Sequence, residues 1–298
     1  MSEKINDKDK DNYCVVIGGS NMDIGGKTFA PIIFADSNPG KVSISLGGVA
    51  RNIAENLSKM NVKVHFITFL GNDKYGKEID QSCKKLGMDM SSTLIAEQAS
   101  TPIYLYINND NGDLALGIND TEIEKYITVD YIKKHLPIIN GAKIVVADTN
   151  LSEDVLKFLA ENCTPPLFID PVSTTKAMKI KNILNKITIL KPNKIEAEKL
   201  SGVTINNDDD LNKAGKILIE KGLKKLFISL GSEGVFLADE KMMLKLPAHQ
   251  FKVENTKGAG DAFTTGLILS SFLNYDTKQM AEYAMNLSEK YLKGELGK

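Results

Sequence analysis

The 298-residue chain has no tryptophan and only three cysteines, three histidines and nine prolines. Cys14, Cys83 and Cys163 lie far apart, with neither metal-ligand nor disulfide-framework spacing, so they read as reduced thiols of a cytoplasmic protein. His65, His135 and His249 stand in strand-like or polar contexts, none in company that marks a ligand or a base. No apolar run approaches the ~20 residues a membrane-spanning helix needs, which predicts a soluble protein without a membrane partner. A formal net charge of -1 supplies no broad field for nucleic acid, and the partner expected is a small molecule. The start, residues 1–12, is charged and polar and lacks the apolar stretch of a secretory signal, so it reads as a frayed tail. Two phosphate-loop signatures are also missing. Gly25-Gly26-Lys27-Thr28 resembles the end of a Walker A loop, but Asn21 stands where its leading glycine is required. Gly18-Gly19 lacks the Gly-x-Gly-x-x-Gly spacing of a dinucleotide fold.

What is present is an ordinary globular composition, 42% hydrophobic and 25% charged. Short β-branched runs alternate with segments of helical period, the pattern of a mostly parallel sheet covered by helices, an α/β fold. Strands are predicted at Cys14–Ile17, Val64–Phe69, Ile144–Ala147, Leu167–Ile169, Ile187–Leu190 and Leu226–Leu230. Helices are predicted at Val49–Met60, Ser152–Asn162, Lys194–Leu200, Asp208–Lys221 and Ala259–Leu273. Two stretches break the rhythm. Residues 32–45 and 103–118 read as antiparallel strands, the second pair meeting at Asn109-Asp110-Asn111-Gly112, and together they suit a small flap over the mouth of the sheet. Without internal repeats or a linker, residues 13–298 are expected to form one domain with a lid.

Four motifs carry chemistry, and each has a plainer alternative. Gly258-Ala259-Gly260-Asp261 opens an apolar helix. Small residues there leave backbone N–H groups open to an anion, and Asp261 can accept a proton beside it. The same residues also suit a glycine-rich helix entry with a favourable first-turn acid. Asn193 and Glu196 follow a strand and offer oxygen ligands to a hydrated magnesium ion carried by phosphates, or else cap the helix. Ser229, Gly231 and Gly234 form a turn that could wrap a nucleotide phosphate or make a tight hairpin into Val235–Ala238. Asn21 and Asp23, with Gly47, Gly48 and Asn52, could hold vicinal hydroxyls of a sugar, yet Asn, Asp and Gly are also the ordinary residues of turns.

In this order and separation the Gly47-Gly48 region, the Asn-x-x-Glu and the Gly-Ala-Gly-Asp resemble the ribokinase-like (PfkB) carbohydrate kinase family, from about Tyr13 to at least Asn286. The resemblance implies a three-layer α/β/α sandwich with a small β-strand lid, ATP as co-substrate, magnesium, a potassium ion, and a homodimer formed through the lid. It implies Asp261 as the base, Gly258, Ala259 and Gly260 as the anion hole, and Asn193 with Glu196 as organisers of magnesium and phosphate through water. Ser229, Gly231 and Gly234 would line the ATP site, and Asn21, Asp23, Gly47, Gly48 and Asn52 would hold the ribosyl group. Other stretches, among them Ala35 to Lys41, Gly47 to Leu57, Ile118 to Asp120, Val146 to Asp148 and Asp170 to Ser173 with Lys176, are similar to the branch that phosphorylates the 5′-hydroxyl of a nucleoside bearing a uracil base. Ser37, Asn38 and Lys176 would then meet the base edge, a demand that a plain sugar would leave unmet. The plainer readings are lid-turn chemistry for the pair and a solvated surface lysine for Lys176. Rival readings are a kinase of another nucleoside, of ribose or of a ketose phosphate, and a catalytically weak nucleoside or sugar sensor. Lys257 stands where the family has a small residue, and the chain stops at Lys298, before a segment with which relatives complete the nucleotide and cation sites. Both departures bear on activity rather than fold.

Overall fold

The computed structural model describes residues 12–248 and 258–295. From the N-terminus β1 (Tyr13–Ile17) leads into the hairpin of β2 (Asn21–Thr28) and β3 (Gly40–Gly47), followed by α1 (Val49–Lys59) and β4 (Lys63–Ile67). Next come β5 (Phe69–Gly71), α2 (Lys74–Lys85), β6 (Leu94–Ala96) and a second hairpin of β7 (Ile103–Asn108) and β8 (Leu114–Asp120). The chain continues through α3 (Val129–Lys134), α4 (Leu136–Asn140), β9 (Ile144–Asp148), α5 (Glu153–Asn162), β10 (Leu167–Asp170) and α6 (Thr174–Ala177). It then runs through β11 (Ile189–Leu190), α7 (Lys194–Ser201), α8 (Asp208–Glu220), β12 (Lys225–Ser229), β13 (Val235–Asp239), β14 (Met243–Leu246), α9 (Ala259–Phe272) and α10 (Thr277–Leu292).

Eight strands form the main sheet in the order β14-β13-β12-β11-β10-β9-β1-β4. All pairs from β4 to β12 are parallel, and β13 and β14 close the edge as antiparallel strands. Strands such as Ile144-Val145-Val146-Ala147-Asp148 are buried throughout, as a parallel strand covered on both faces must be. Their alternating side chains feed two cores. Val15 and Ile17 pack with residues of α3, α4, α5, α7 and α8 on one face. Cys14 and Val16 pack with residues of α1, α2, α9 and α10 on the other. This is the three-layer α/β/α sandwich that the motifs implied.

The lid is a separate sheet of four strands, β3-β2-β7-β8. The sequence reading placed a strand at 32–45, whereas residues 29–39 form no strand and β3 runs over 40–47. It also missed β2, because Asn-Met-Asp-Ile-Gly-Gly-Lys-Thr carries two glycines and little β-branched character. The Walker-like Gly25-Gly26-Lys27-Thr28 is thus the end of a lid strand. Register and alternation give the lid two unlike faces. Asp23, Ser45, Tyr104 and Asn119 share one. Ile44, Leu105 and Ile118 share the other, which is exposed, with Val42 69% and Ile44 59% accessible. The β7–β8 turn closes at Asn109, whose Oδ1 accepts from the Asp113 N–H at 2.8 Å. No helix among the described residues is long and apolar enough to cross a membrane.

Candidate active site

The parallel strands deliver their carboxyl ends to one edge: Gly18-Gly19 after β1, Asp148 ending β9, Asp170 ending β10, Lys191 after β11 and Ser229 ending β12. Strand order reverses at β1, with β4 on one side and β9 on the other, which opens the crevice where α/β sheets bind ligands.

Asp261 lies in the first turn of α9 at that edge. Gly258 enters the helix at φ 85°, and a Cβ there would lie 2.4 Å from the Tyr291 hydroxyl, so glycine is required. Among the described residues no side chain caps α9, so its first N–H groups suit an anion. Asn52 Nδ2 donates to Asp261 Oδ2 at 3.0 Å, joining α1 to α9. Burial, with help from the charge of Asp170, pushes the Asp261 carboxyl up to about 6, against the opposing Asn52 bond and Lys191. A carboxylate poised there can accept a proton at neutral pH.

Asn193 and Glu196 do form a capping box: Asn193 Oδ1 accepts from the Glu196 N–H at 2.9 Å, and Glu196 Oε2 accepts from the Asn193 N–H at 2.8 Å. Asparagine replaces the Ser or Thr of the usual box. Glu196 is nevertheless buried at the sheet edge, and that burial raises its pKa. Nearby, Lys191 Nζ lies 3.5 Å from Asp170 Oδ2, and its charge also reaches Glu196 and Asp261. Among the described residues no group of three or more His, Cys, Asp or Glu forms a metal cage. The oxygen donors of Asn193 and Glu196 at this edge fit a hydrated magnesium ion held mainly by phosphates. Ser229 and the Gly231–Gly234 turn form the tight hairpin between β12 and β13, with the Leu230 N–H donating to the Gly234 carbonyl at 2.9 Å.

On the other side of the crevice Asn21 Nδ2 donates to Asp23 Oδ1 at 2.6 Å, and Asn21 pairs with Gly47 across β2 and β3. Gly48 has φ 100°, and a Cβ there would meet the Gly19 carbonyl at 2.5 Å, so the two glycine turns lie against each other. Asn38 sits in the lid turn: its Oδ1 accepts from the Ile33 N–H, and its Nδ2 donates to the carbonyls of Ile33 and Asp36. Ser37 is exposed beside it, its N–H donating to Asp36 Oδ1 at 2.7 Å. Lys176 is half-buried rather than solvated. Its Nζ donates to Asn150 Oδ1 at 2.5 Å and pairs with Glu124 at 3.3 Å.

Sequence reasoning missed Asp148, Asp170, Lys191 and Arg51 as site residues. The first three had a readable signal, a charged residue ending an otherwise apolar parallel strand. Asp148 is buried and accepts from the N–H groups of Gly19, Ala50 and Asn150 and from Asn150 Nδ2, so it ties the β1 turn to the start of α1. His65 pairs with Asp89 at 3.0 Å and His135 Nδ1 lies 2.9 Å from the Tyr131 carbonyl, both away from this edge. Lys257, with the expected potassium site, and His249 lie outside the described residues, as do residues 1–11 and 296–298.

Residues 11–292 match the model of the pfkB family carbohydrate kinases. The chain is 37% identical over 262 residues to a pseudouridine kinase of Escherichia coli, covering 87% of this chain and 83% of that protein. It is 35% identical to a putative sugar kinase from Clostridium perfringens of solved structure, with a TM-score of 0.82 and coverage of 97% and 92%. A ribokinase from Thermotoga maritima, 19% identical, superposes with a TM-score of 0.84 over 94% and 93% of the two chains. With its ribokinase-like sandwich, its lid and an acid in the first turn of a glycine-led helix, the chain belongs to the pfkB family of carbohydrate kinases and is an ATP-dependent kinase.

Proposed function

We propose that the enzyme transfers the γ-phosphoryl group of ATP to the 5′-hydroxyl of pseudouridine, giving pseudouridine 5′-phosphate and ADP. The observation that carries the acceptor class is the placing of Lys176. It is held half-buried by Glu124 and Asn150, and Asn150 in turn bonds Asp148, which holds the Gly19 N–H on the sugar side of the crevice. A fixed ammonium, with one donor left after Glu124 and Asn150, suits a carbonyl-bearing base beside the proposed ribosyl site, a partner that a free sugar does not bring. The similarity to the Escherichia coli pseudouridine kinase supports the same choice.

In this reading Asn21, Asp23, Asn52 and the turns at Gly47 and Gly48 hold the ribosyl hydroxyls. Lys176 and Ser37 meet the base, while Asn38 holds the lid turn in shape. The 5′-hydroxyl proton passes to Asp261 as its oxygen bonds to the γ-phosphorus, the bond to the β-phosphate oxygen breaks, and ADP leaves. N–H groups of Gly258 to Gly260 at the start of α9 stabilise the transferring oxygens, with Lys191 adding positive charge. Ser229, Gly231 and Gly234 line the nucleotide. Magnesium, when bound, neutralises phosphate charge, and Glu196 and Asn193 would hold it through water. Lid closure excludes water from the transfer. We place the enzyme in the cytoplasm, where Cys14, Cys83 and Cys163, all unpaired, stay reduced. The exposed apolar lid face supports a homodimer formed lid to lid.

The test is a panel of pseudouridine, uridine, guanosine, ribose and fructose 6-phosphate with ATP and magnesium, with and without potassium. Pseudouridine is expected to exceed ribose by roughly 10²-fold or more in kcat/KM. Robust ribose turnover with none of pseudouridine would overturn the assignment. Calorimetric binding without any turnover would favour a sensor. Asp261→Asn should lower kcat by about 10²–10⁴-fold and leave ATP affinity unchanged.

A further inference from the structure

Arg51 is an arginine buried at 5% exposure on α1, next to the residue that touches the proposed base. Its Nη1 donates to Asn52 Oδ1 at 3.0 Å and to the Leu46 carbonyl at 3.4 Å, and its Nη2 pairs with Glu55. Its buried Nε finds no hydrogen-bond partner among the described residues. A buried guanidinium with an unmet donor is a costly way to stabilise a helix that already packs through Ile53, Ala54 and Leu57. The cost becomes intelligible from what lies on either side of Asn52.

Asn52 stands between a group that can only donate and a group that, when ionised, can only accept. With Oδ1 toward Arg51 and Nδ2 toward Asp261 both contacts are met. The flipped amide would set two donors together on one side and two acceptors together on the other. Without Arg51 the carboxylate alone must hold the amide, and the Leu46 carbonyl loses its side-chain bond from α1. Leu46 belongs to β3, the lid strand that returns to the site, so one side chain grips the lid's root and the amide that faces the base.

We infer that Arg51 is a positioning residue for phosphoryl transfer, which locks the Asn52 amide with its donor toward Asp261 and ties that lock to the root of the lid. The inference rests on Asp261 acting as the base. Asp261 is also faced by Asp170 from the end of β10 and by Lys191 beyond β11. Arg51 is faced by Glu55 on its own helix, which Lys59 also pairs at 2.7 Å, and by Cys83 from α2, whose thiol burial pushes up to about 11. A substitution at Arg51 leaves Asp170 and Lys191 in place, so a change in the base's titration reports on the Asn52 contact or on the lost charge.

The experiment is the pH dependence of kcat for Arg51→Met, Arg51→Lys, Asn52→Ala, the double variant Arg51→Met/Asn52→Ala and Asp261→Asn beside the parent enzyme, with thermal unfolding of each. Arg51→Met removes charge and donor, Arg51→Lys keeps a charged donor at nearly the length that reaches Asn52 Oδ1, and the double variant separates the lost charge from the lost contact. Arg51→Met and Asn52→Ala should both move the acid limb of kcat upward, by about half a pH unit to one unit, since an ionised base loses its donor. Arg51→Lys should return the limb to near its parent position even where its melting temperature falls with that of Arg51→Met, and Arg51→Met should add no further shift to Asn52→Ala. An unmoved limb in Arg51→Met, a limb displaced equally in Arg51→Met and Arg51→Lys, or a further shift in the double variant overturns the lock. Should Arg51→Met not fold, Arg51→Met/Glu55→Gln removes the newly unpaired carboxylate and carries the same comparison. Near-parent turnover in Asp261→Asn would instead sink the base itself, an outcome distinct from failure of the lock.

Discussion

Asp261, the proposed base, shows how environment rather than residue type can fit a carboxyl to a role. Burial and the neighbouring Asp170 raise its pKa from 3.8 to about 6, the range a base needs to be free at neutral pH yet able to take a proton. The acid limb of kcat is therefore expected near pH 6 and is read from a pH–rate profile; a limb near 4 would mean that an unperturbed carboxylate controls the rate. The same shift acts on stability with a definite sign. A carboxyl with a raised folded pKa contributes stability below its unfolded value and loses it as pH rises through about 6. Asp261→Asn should thus stabilise the fold at pH 7–8, by at most ~3 kcal/mol for a shift of about two units. Thermal melts at pH 4 and pH 8 test this, the gain being expected at pH 8 and absent at pH 4. A residue that lowers stability where it sits fits a working site.

At the scale of elements, the α7 entry carries two roles in one pair of residues. Asn193 caps the helix, and Glu196 both closes the box and sits buried at the sheet edge where the proposed function puts the phosphates. Substitution separates them. Asn193→Ala should cost about 0.5–2 kcal/mol, seen as a lower melting temperature. Glu196→Gln can still accept from the Asn193 N–H, as a capping box allows, so its melting temperature should hold while the apparent KM for magnesium-ATP rises and kcat falls. A melting temperature lost together with turnover in Glu196→Gln would assign that glutamate to the cap alone. The sequence displayed this pair, and the helix it begins, because capping is local in the chain. It did not display Lys191 and Asp170 as their neighbours, since those lie on different strands and meet only when the sheet aligns its carboxyl ends.

The whole molecule sets a mixed sheet, two cores and a lid that shows an apolar face to solvent. Val42, Ile44, Leu105, Leu116 and Ile118 are all exposed on lid strands, a patch that a monomer rarely leaves bare. If two lids meet there, Ile44→Lys with Leu116→Lys should yield a monomer by light scattering and raise KM for the nucleoside, with the core melting temperature little changed. A parent enzyme already monomeric at assay concentration would remove the dimer from the account.

The order of strands and helices was legible in the sequence because each is written in a local period: the apolar runs of β1, β9 and β10, and the capped helices α5, α7 and α8. The residues proposed for the chemistry were legible as types, with Asp261, Asn193, Glu196 and Asn21 each standing where an element begins and Asp23 close behind Asn21. Lid strand β2 was not, since its glycine-rich run becomes a strand only by pairing with β3 and β7. Tertiary structure alone decided the contact of Asn52 with Asp261, 209 residues apart, and the half-buried hold on Lys176. Such contacts depend on which strand ends share an edge, and no local period in the chain encodes that.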